Sequence, residues 1–413
     1  MHARRRRGPE AASGGVYHAG MLPVSSDVIS EPSPPSPDWA QTLRDAMAVS
    51  DVYLDHAACS PLPRATAAAM TDYVTDFAER GSARWPRWRS RVEDARSRLA
   101  AMLDCDAASL AMVRNTTEGI TIVAEGIDWQ PGDNVVVPAD EFPSNLFPWR
   151  NLESRGVECR VVKAANGRSV RLDPTPLRDA CDARTRVIAC SWVGYKLGDR
   201  ADIAALREIA NDAGAELFID AIQGLGMHPI DLSLVDYLAA DGHKWLLGPE
   251  GAGTLYIAPH RLASLRPIGV GWNSVAEAAS FDGSATHLRD DAARYEGGTY
   301  PAVTMVGLAA SLDVLSRATP ADREARLHDL TDHLRDAVEQ RGGRIVSPNE
   351  RAHRTAITAV DVGDRDPAAM RSRGLKAGIV TSVRGGLLRL APHAYQTPDD
   401  LGLAVKVLWD GSA

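Results

Sequence analysis

Between residues 110 and 260 the chain alternates short apolar runs with stretches of helical period. DNVVVPAD (133–140), VECRVV (157–162), TRVIACSWV (185–193), AELFIDA (215–221) and VDYLAADG (235–242) are apolar over strand length. A strand covered by helices on both faces has this look, since neither face meets water. Among the intervening segments, DIAALREIANDAG (202–214) places apolar residues at helical spacing and stops at Gly214, a residue suited to the end of a helix. Strand–helix alternation predicts an α/β fold around a mostly parallel sheet. GTLYIA (253–258) follows a loop and is predicted to add an antiparallel strand. After about residue 305 the pattern changes. TMVGLAASLDVLSRA and DREARLHDLTDHLRDAVEQRG read as helices, AITAVDV and LLRLAP as short strands, and 398–409 as a last helix. That is the pattern of a smaller α+β domain. No internal repeat is visible.

Composition bounds the picture. The chain has 413 residues, 45% hydrophobic and 24% charged, with a net charge of −8. That length is generous for one core, and that charge does not favour nucleic acid. The basic run Arg4–Arg7 reads as a solvated tail. It lies in a leader, residues 1–38, whose Arg, Gly, Ser and Pro content predicts disorder. Met21 could serve as the start, which leaves residues 1–20 open. Cys59, Cys105, Cys159, Cys181 and Cys190 lack CxxC spacing, which argues against a zinc ribbon or a disulfide scaffold and fits a cytoplasmic protein. No apolar run reaches membrane-spanning length, and no secretory signal is seen.

The chemistry starts from a lone lysine. Lys244 stands between His243 and Trp245, just past the apolar run that ends near Gly242, and a lysine is rarely buried alone. In open α/β sheets ligands bind at the carboxyl ends of strands. Asp220 closes ELFID at such an end, and RNTTEG (114–119) opens an apolar helix. Singly, Asp220 reads as a turn residue and Thr116–Thr117 as a plain cap. Together they supply what an aldehyde cofactor with a phosphate and a pyridine nitrogen needs. The amine binds the aldehyde, the carboxylate keeps the ring nitrogen protonated, and the helix start takes the phosphate.

From about Tyr53 to Thr397 the chain resembles the pyridoxal phosphate enzymes of aspartate aminotransferase fold (fold type I). Within them it is similar to the class V aminotransferase group of cysteine desulfurases, isopenicillin N epimerase-like proteins, kynureninases and cysteine-conjugate C–S lyases. DGHKWLLGPEGAGTLY (241–256) is the specific motif. YLDHAACSPLP (53–63), RNTTEGI (114–120), EFPSNLFPW (141–149) and IDAIQGLG (219–226) support it in order. The resemblance implies that Lys244 binds the cofactor and then moves protons at the substrate α-carbon, with Asp220 on the ring nitrogen and Gln223 on the phenolic oxygen. Thr116, Thr117 and His243 resemble phosphate ligands, and Phe142 stacks on the ring. Gly298 and Thr299, in EGGTYP (296–301), resemble a segment that reaches the partner's phosphate in a homodimer. Arg389 resembles the α-carboxylate grip, while His56, Tyr195 and Arg384 line the substrate side. The implied architecture is a large domain over 66–304, with 39–65 joining 305–413 in a small one.

Three departures bear on the reaction. Asp241 stands where the family has serine, and an acid beside a phosphate is unfavourable. SWVGYKLGDRADI (191–203) lacks the desulfurase asparagine and is closer to the kynureninase version. The interval between Arg384 and Arg389 is only GGLL, with no cysteine anywhere after Cys190. A desulfurase needs a thiolate there, and Cys59 is the one stand-in, better read as a small buried residue. The expected reaction is β-elimination on a cysteine S-conjugate, with transamination, decarboxylation-linked oxidative deamination, epimerisation and desulfuration as alternatives. His56 and Cys59 have no second pair, so no metal site is expected. His393 reads equally as a substrate helper or a turn cap. His328 and His333 are expected at the surface, and WPRWRSR (85–91) as packing with a solvated face, although Arg84 or Trp88 could shape an entrance.

Overall fold

The computed structural model describes residues 38–164, 169–281, 283–285 and 287–411; the expected leader lies outside them but for Asp38. The strands are β1 (Val52–Tyr53), β2 (Leu110–Val113), β3 (Asn134–Pro138), β4 (Glu158–Val162), β5 (Thr185–Ser191), β6 (Glu216–Asp220), β7 (Tyr237–Asp241) and β8 (Gly253–Ile257), followed by β9 (Arg344–Ile345), β10 (Thr358–Asp361), β11 (Ile379–Val380), β12 (Ser382–Arg384) and β13 (Leu387–Leu390). Seven of them form one sheet in the order β2-β8-β7-β6-β5-β3-β4. β8 runs antiparallel to both neighbours, β2 and β7, while the pairs β7–β6, β6–β5, β5–β3 and β3–β4 are parallel.

Successive residues on the central strands enter opposite cores. Val136, Ile188, Leu217 and Leu238 pack into one apolar cluster. Val135, Val187, Phe218 and Ala239 pack into the other. This two-sided burial is why the strands read as continuous apolar runs. The helix Thr116–Gly126 fills one side. A Cβ on its Gly119 would sit 2.8 Å from Ala239 Cβ, so glycine lets the helix lie close against β7. On the other side, helices Arg64–Arg80 and Trp85–Leu103 pack on the apolar helix Ala302–Leu315, with Thr66 Oγ1 2.6 Å from Ser311 Oγ.

A four-stranded antiparallel sheet, β12-β13-β10-β9, and the parallel pair β1–β11 complete the fold. Leu54 joins Leu334, Val360, Leu388, Leu390 and Leu408 in a third apolar cluster. β12 and β13 are joined by Gly385 and Gly386 at φ 57° and 78°, the left-handed conformation that a two-residue hairpin turn demands. Among the described residues no single helix is long and apolar enough to cross a membrane.

Two surface expectations resolve differently. His333 is exposed, but His328 is buried, its Nε2 3.9 Å from Glu324. Its helix turns that face inward, which spacing between the two histidines alone does not reveal. In WPRWRSR, Trp88 is buried and donates its indole N–H to Asp76 at 2.7 Å.

Candidate active site

A cavity of about 250 Å³ opens where the carboxyl ends of β5, β6 and β7 meet the helix start after β2. Thr116, Thr117, Phe142, Tyr195, Asp220, Gln223, His243, Lys244, Arg384 and Arg389 all line it. Ten residues marked from sequence thus come from distant segments to one place.

Asp220 is the last residue of β6 and is buried, accepting the Ile222 N–H at 3.1 Å. Loss of water, with the Glu141 carboxylate nearby, pushes its pKa upward. Lys244 follows β7 in a tight turn. Its backbone is clamped from the N-terminal segment: Ser60 Oγ donates to the Lys244 carbonyl at 2.5 Å, and Ser60 N–H to the His243 carbonyl at 2.8 Å. Burial lowers the Lys244 pKa to about 8, with Asp220 pulling it back and Arg389 adding to the fall. Its Nζ sits 5.7 Å from the centre of the Phe142 ring. Tyr195 meets Phe142 edge-on at 5.4 Å.

The helix Thr116–Gly126 starts beside Lys244 because Asn115 caps it, accepting the Glu118 N–H at 2.9 Å. The first-turn amides of Thr116 and Thr117 have no partner within a helix and face the cavity with two hydroxyls. Thr116 Oγ1 also accepts the Asp241 N–H at 3.0 Å, and Thr117 Oγ1 lies 2.9 Å from Ser144 Oγ. Asp241 answers the question its sequence raised. One carboxylate oxygen accepts the Gly242 N–H at 2.7 Å, and the other lies 2.9 Å from His243 Nδ1. The acid is engaged with its own turn. Gln223 is held by donating to the Ala57 carbonyl and accepting from the Trp245 indole, each at 2.9 Å.

Arg389 is nearly fully buried. It donates to Asp55 at 2.9 Å, to the Tyr195 carbonyl at 2.8 Å and to Ser382 Oγ at 3.1 Å. A guanidinium has five N–H groups, so two remain for a ligand. Arg384, at the end of β12, donates among the described residues to the Val383 carbonyl alone.

One expected substrate-side residue falls elsewhere. His56 does not line the cavity. It is fully buried behind it, with Nδ1 2.9 Å from the Ala391 carbonyl and Nε2 3.0 Å from Tyr395 Oη. Its neighbours Ala57 and Ala58 form the wall instead. Gly298 and Thr299 are exposed and outside the lining of this chain's cavity. His393 is also buried behind Lys244, its Nε2 3.2 Å from the Trp245 carbonyl. Sequence reasoning missed Asn115, Ser144 and Asp55. Asn115 had a signal, an Asn directly before the helix. Asp55 and Ser144 had none, because their roles depend on long-range pairing.

The residues fit an aldehyde cofactor with a phosphate and a pyridine nitrogen. A low-pKa amine, a buried carboxylate, a flat aromatic wall and a hydroxyl-rich helix start converge on one cavity. Cys59 is half-buried and burial raises its thiol pKa, which disfavours a thiolate.

Comparison with known proteins places this site in context. The model of the family "Aminotransferase class-V" matches residues 52–387. A probable cysteine desulfurase of Methanothermobacter thermautotrophicus is 30% identical over 380 residues, 86% of this chain and 94% of that protein. The cysteine desulfurase CsdA of Escherichia coli superposes with a TM-score of 0.77 at 26% identity, covering 89% of this chain and 97% of that one. A mutant of C-DES with glycine covalently linked to the PLP cofactor superposes with a TM-score of 0.82 at 22% identity, over 91% and 100% of the two chains.

Proposed function

The chain belongs to the class V aminotransferase family and is a pyridoxal phosphate-dependent enzyme, and from that premise we propose that it catalyses β-elimination on a cysteine S-conjugate. The net reaction is conjugate plus water to pyruvate, ammonia and free thiol. Bound in the cavity, pyridoxal phosphate supplies a sink for the electron pair left when a bond to the substrate α-carbon breaks.

The chain's own residues would do the rest. Lys244 would hold the cofactor aldehyde, and its amine would take the substrate α-proton. Its lowered pKa keeps a fraction unprotonated near neutrality. Asp220 would pair with the ring nitrogen, Gln223 would face the ring's phenolic oxygen, and Thr116, Thr117 and His243 would hold the phosphate. Arg389 takes the substrate α-carboxylate with its two remaining N–H groups. Phe142 and Tyr195 wall the ring from water.

The observation that carries elimination over desulfuration is the Gly385–Gly386 hairpin. Arg384 pairs directly with Leu387 across it, so this hairpin holds no loop to deliver a cysteine, and among the described residues no cysteine lines the cavity. Sulfur transfer through an enzyme persulfide needs such a thiolate. We also propose a homodimer. Gly298 and Thr299 are exposed, and Val270 and Phe147 are exposed apolar side chains at 53% and 61%, surface that a partner would cover.

Mass spectrometry of products from a panel of cysteine conjugates and ordinary amino acids tests the reaction. Pyruvate with free thiol supports it. Keto acid with aminated cofactor would make the enzyme an aminotransferase, and deuterium at the α-carbon alone an epimerase.

A further inference from the structure

The charges around the cavity do not balance. Arg389 is matched by Asp55 at 2.9 Å. Arg384 has no such match. It is half-buried on the cavity wall, its side chain donates once, to the Val383 carbonyl at 2.9 Å, and among the described residues no carboxylate lies within ion-pair distance. Burial is the main cause of the lowered pKa of both Lys244 and Arg389, and the charge of Arg384 adds a smaller push in the same direction. A second unmatched cation stands beside it. Lys196 packs against the hairpin turn: a Cβ on Gly385 would lie 2.5 Å from Lys196 Cε and 2.7 Å from Nζ. Lys196 likewise forms no ion pair among the described residues. The cavity's phosphate-binding end is built elsewhere, from Thr116 and Thr117 at a helix start. The hairpin register, Arg384 opposite Leu387, fixes where the guanidinium leaves the sheet.

We propose that Arg384, with Lys196 beside it, binds a second anionic group on the substrate side chain, so that the amino acids processed here carry a carboxylate or sulfonate beyond the sulfur. This rests on the reading of Arg389 as the α-carboxylate grip. A half-buried guanidinium with free donors gains most from a planar anion that it can meet with two N–H groups. The substrate's own charge completes the set, and Gly385 leaves room for Lys196 against the turn.

Two isosteric conjugates separate this from a general positive rim. S-(2-carboxyethyl)cysteine carries the second anion, and S-(2-carbamoylethyl)cysteine replaces it with a neutral amide. With the holoenzyme, KM for the acid should be about tenfold or more below that for the amide. Arg384→Gln should bring the ratio close to one, and Lys196→Gln should reduce it by a smaller factor. No preference for the acid in the unaltered enzyme would overturn the inference. So would Arg384→Gln raising KM for both conjugates equally, since that would make Arg384 an α-carboxylate ligand. If neither conjugate yields pyruvate, the elimination reading fails separately. Calorimetric binding of the same two amino acids to the holoenzyme then decides: tighter binding of the acid, lost in Arg384→Gln, sustains the anion site, and equal binding ends it.

Discussion

Lys244 looked misplaced in the sequence, a lone amine past a core strand, and its surroundings explain it. Burial strips water from the ammonium, and Asp220 restores only part of the lost stabilisation. A pH dependence follows with a definite sign. Below about pH 8 the amine holds its proton; above it, the free amine can attack an aldehyde. The rate of pyridoxal phosphate uptake by apoprotein should therefore rise with pH through about 8 and then level off. Stopped-flow absorbance would show this, whereas a rate still climbing past about pH 10 would mean an ordinary lysine. Asp220→Asn should lower kcat roughly 100-fold or more and shift the cofactor's visible band, because the neutral amide no longer favours a protonated ring nitrogen. At this scale a residue type and a strand end coincided for Asp220, while Phe142 and Tyr195 were marked by the resemblance alone. It misled at His56, because a histidine three residues past a strand can face either side. Here its ring is held by Ala391 and Tyr395, far along the chain.

Elements place these residues, and their close contacts are testable. The helix that starts at Thr116 lies against β7 through Gly119, where a methyl would meet Ala239 Cβ at 2.8 Å. Both partners are rigid, so Gly119→Ala should push the helix outward. We expect a loss of about 1–3 kcal/mol in urea unfolding and weaker pyridoxal phosphate binding by equilibrium dialysis, with unfolding unchanged as the contrary result. The strands were legible as apolar runs because both faces of the sheet are covered, and their ends differ from the expected ones by only a few residues. The Gly385–Gly386 turn was visible as a short interval. Its meaning required the register of β12 on β13, which shows that the interval closes a tight hairpin rather than shortening a loop.

For the molecule as a whole, one buried ionic network ties the site to the sheet. Arg171 donates to Glu141 at 2.9 Å and to Asp199 at 3.2 Å, all three nearly sealed from water, and Glu141 also accepts the Ser191 N–H at 2.8 Å. Nothing in the sequence pattern marked it, since its members come from four separate segments. Arg171→Met would leave two buried carboxylates without their cation and should cost about 3–5 kcal/mol, read from urea unfolding; a change below about 1 kcal/mol would show that the network carries little. Assembly has its own test. The proposed homodimer should sediment at twice the chain mass, and Thr299→Arg should weaken both dimerisation and cofactor retention, while an active monomer would refute it. All of this depends on Lys244 holding the cofactor aldehyde. Borohydride reduction of the yellow holoprotein, followed by digestion and peptide mass mapping, should place the pyridoxyl group on Lys244. Finding it on Lys163, Lys196, Lys376 or Lys406, or on no lysine, would contradict the site described here.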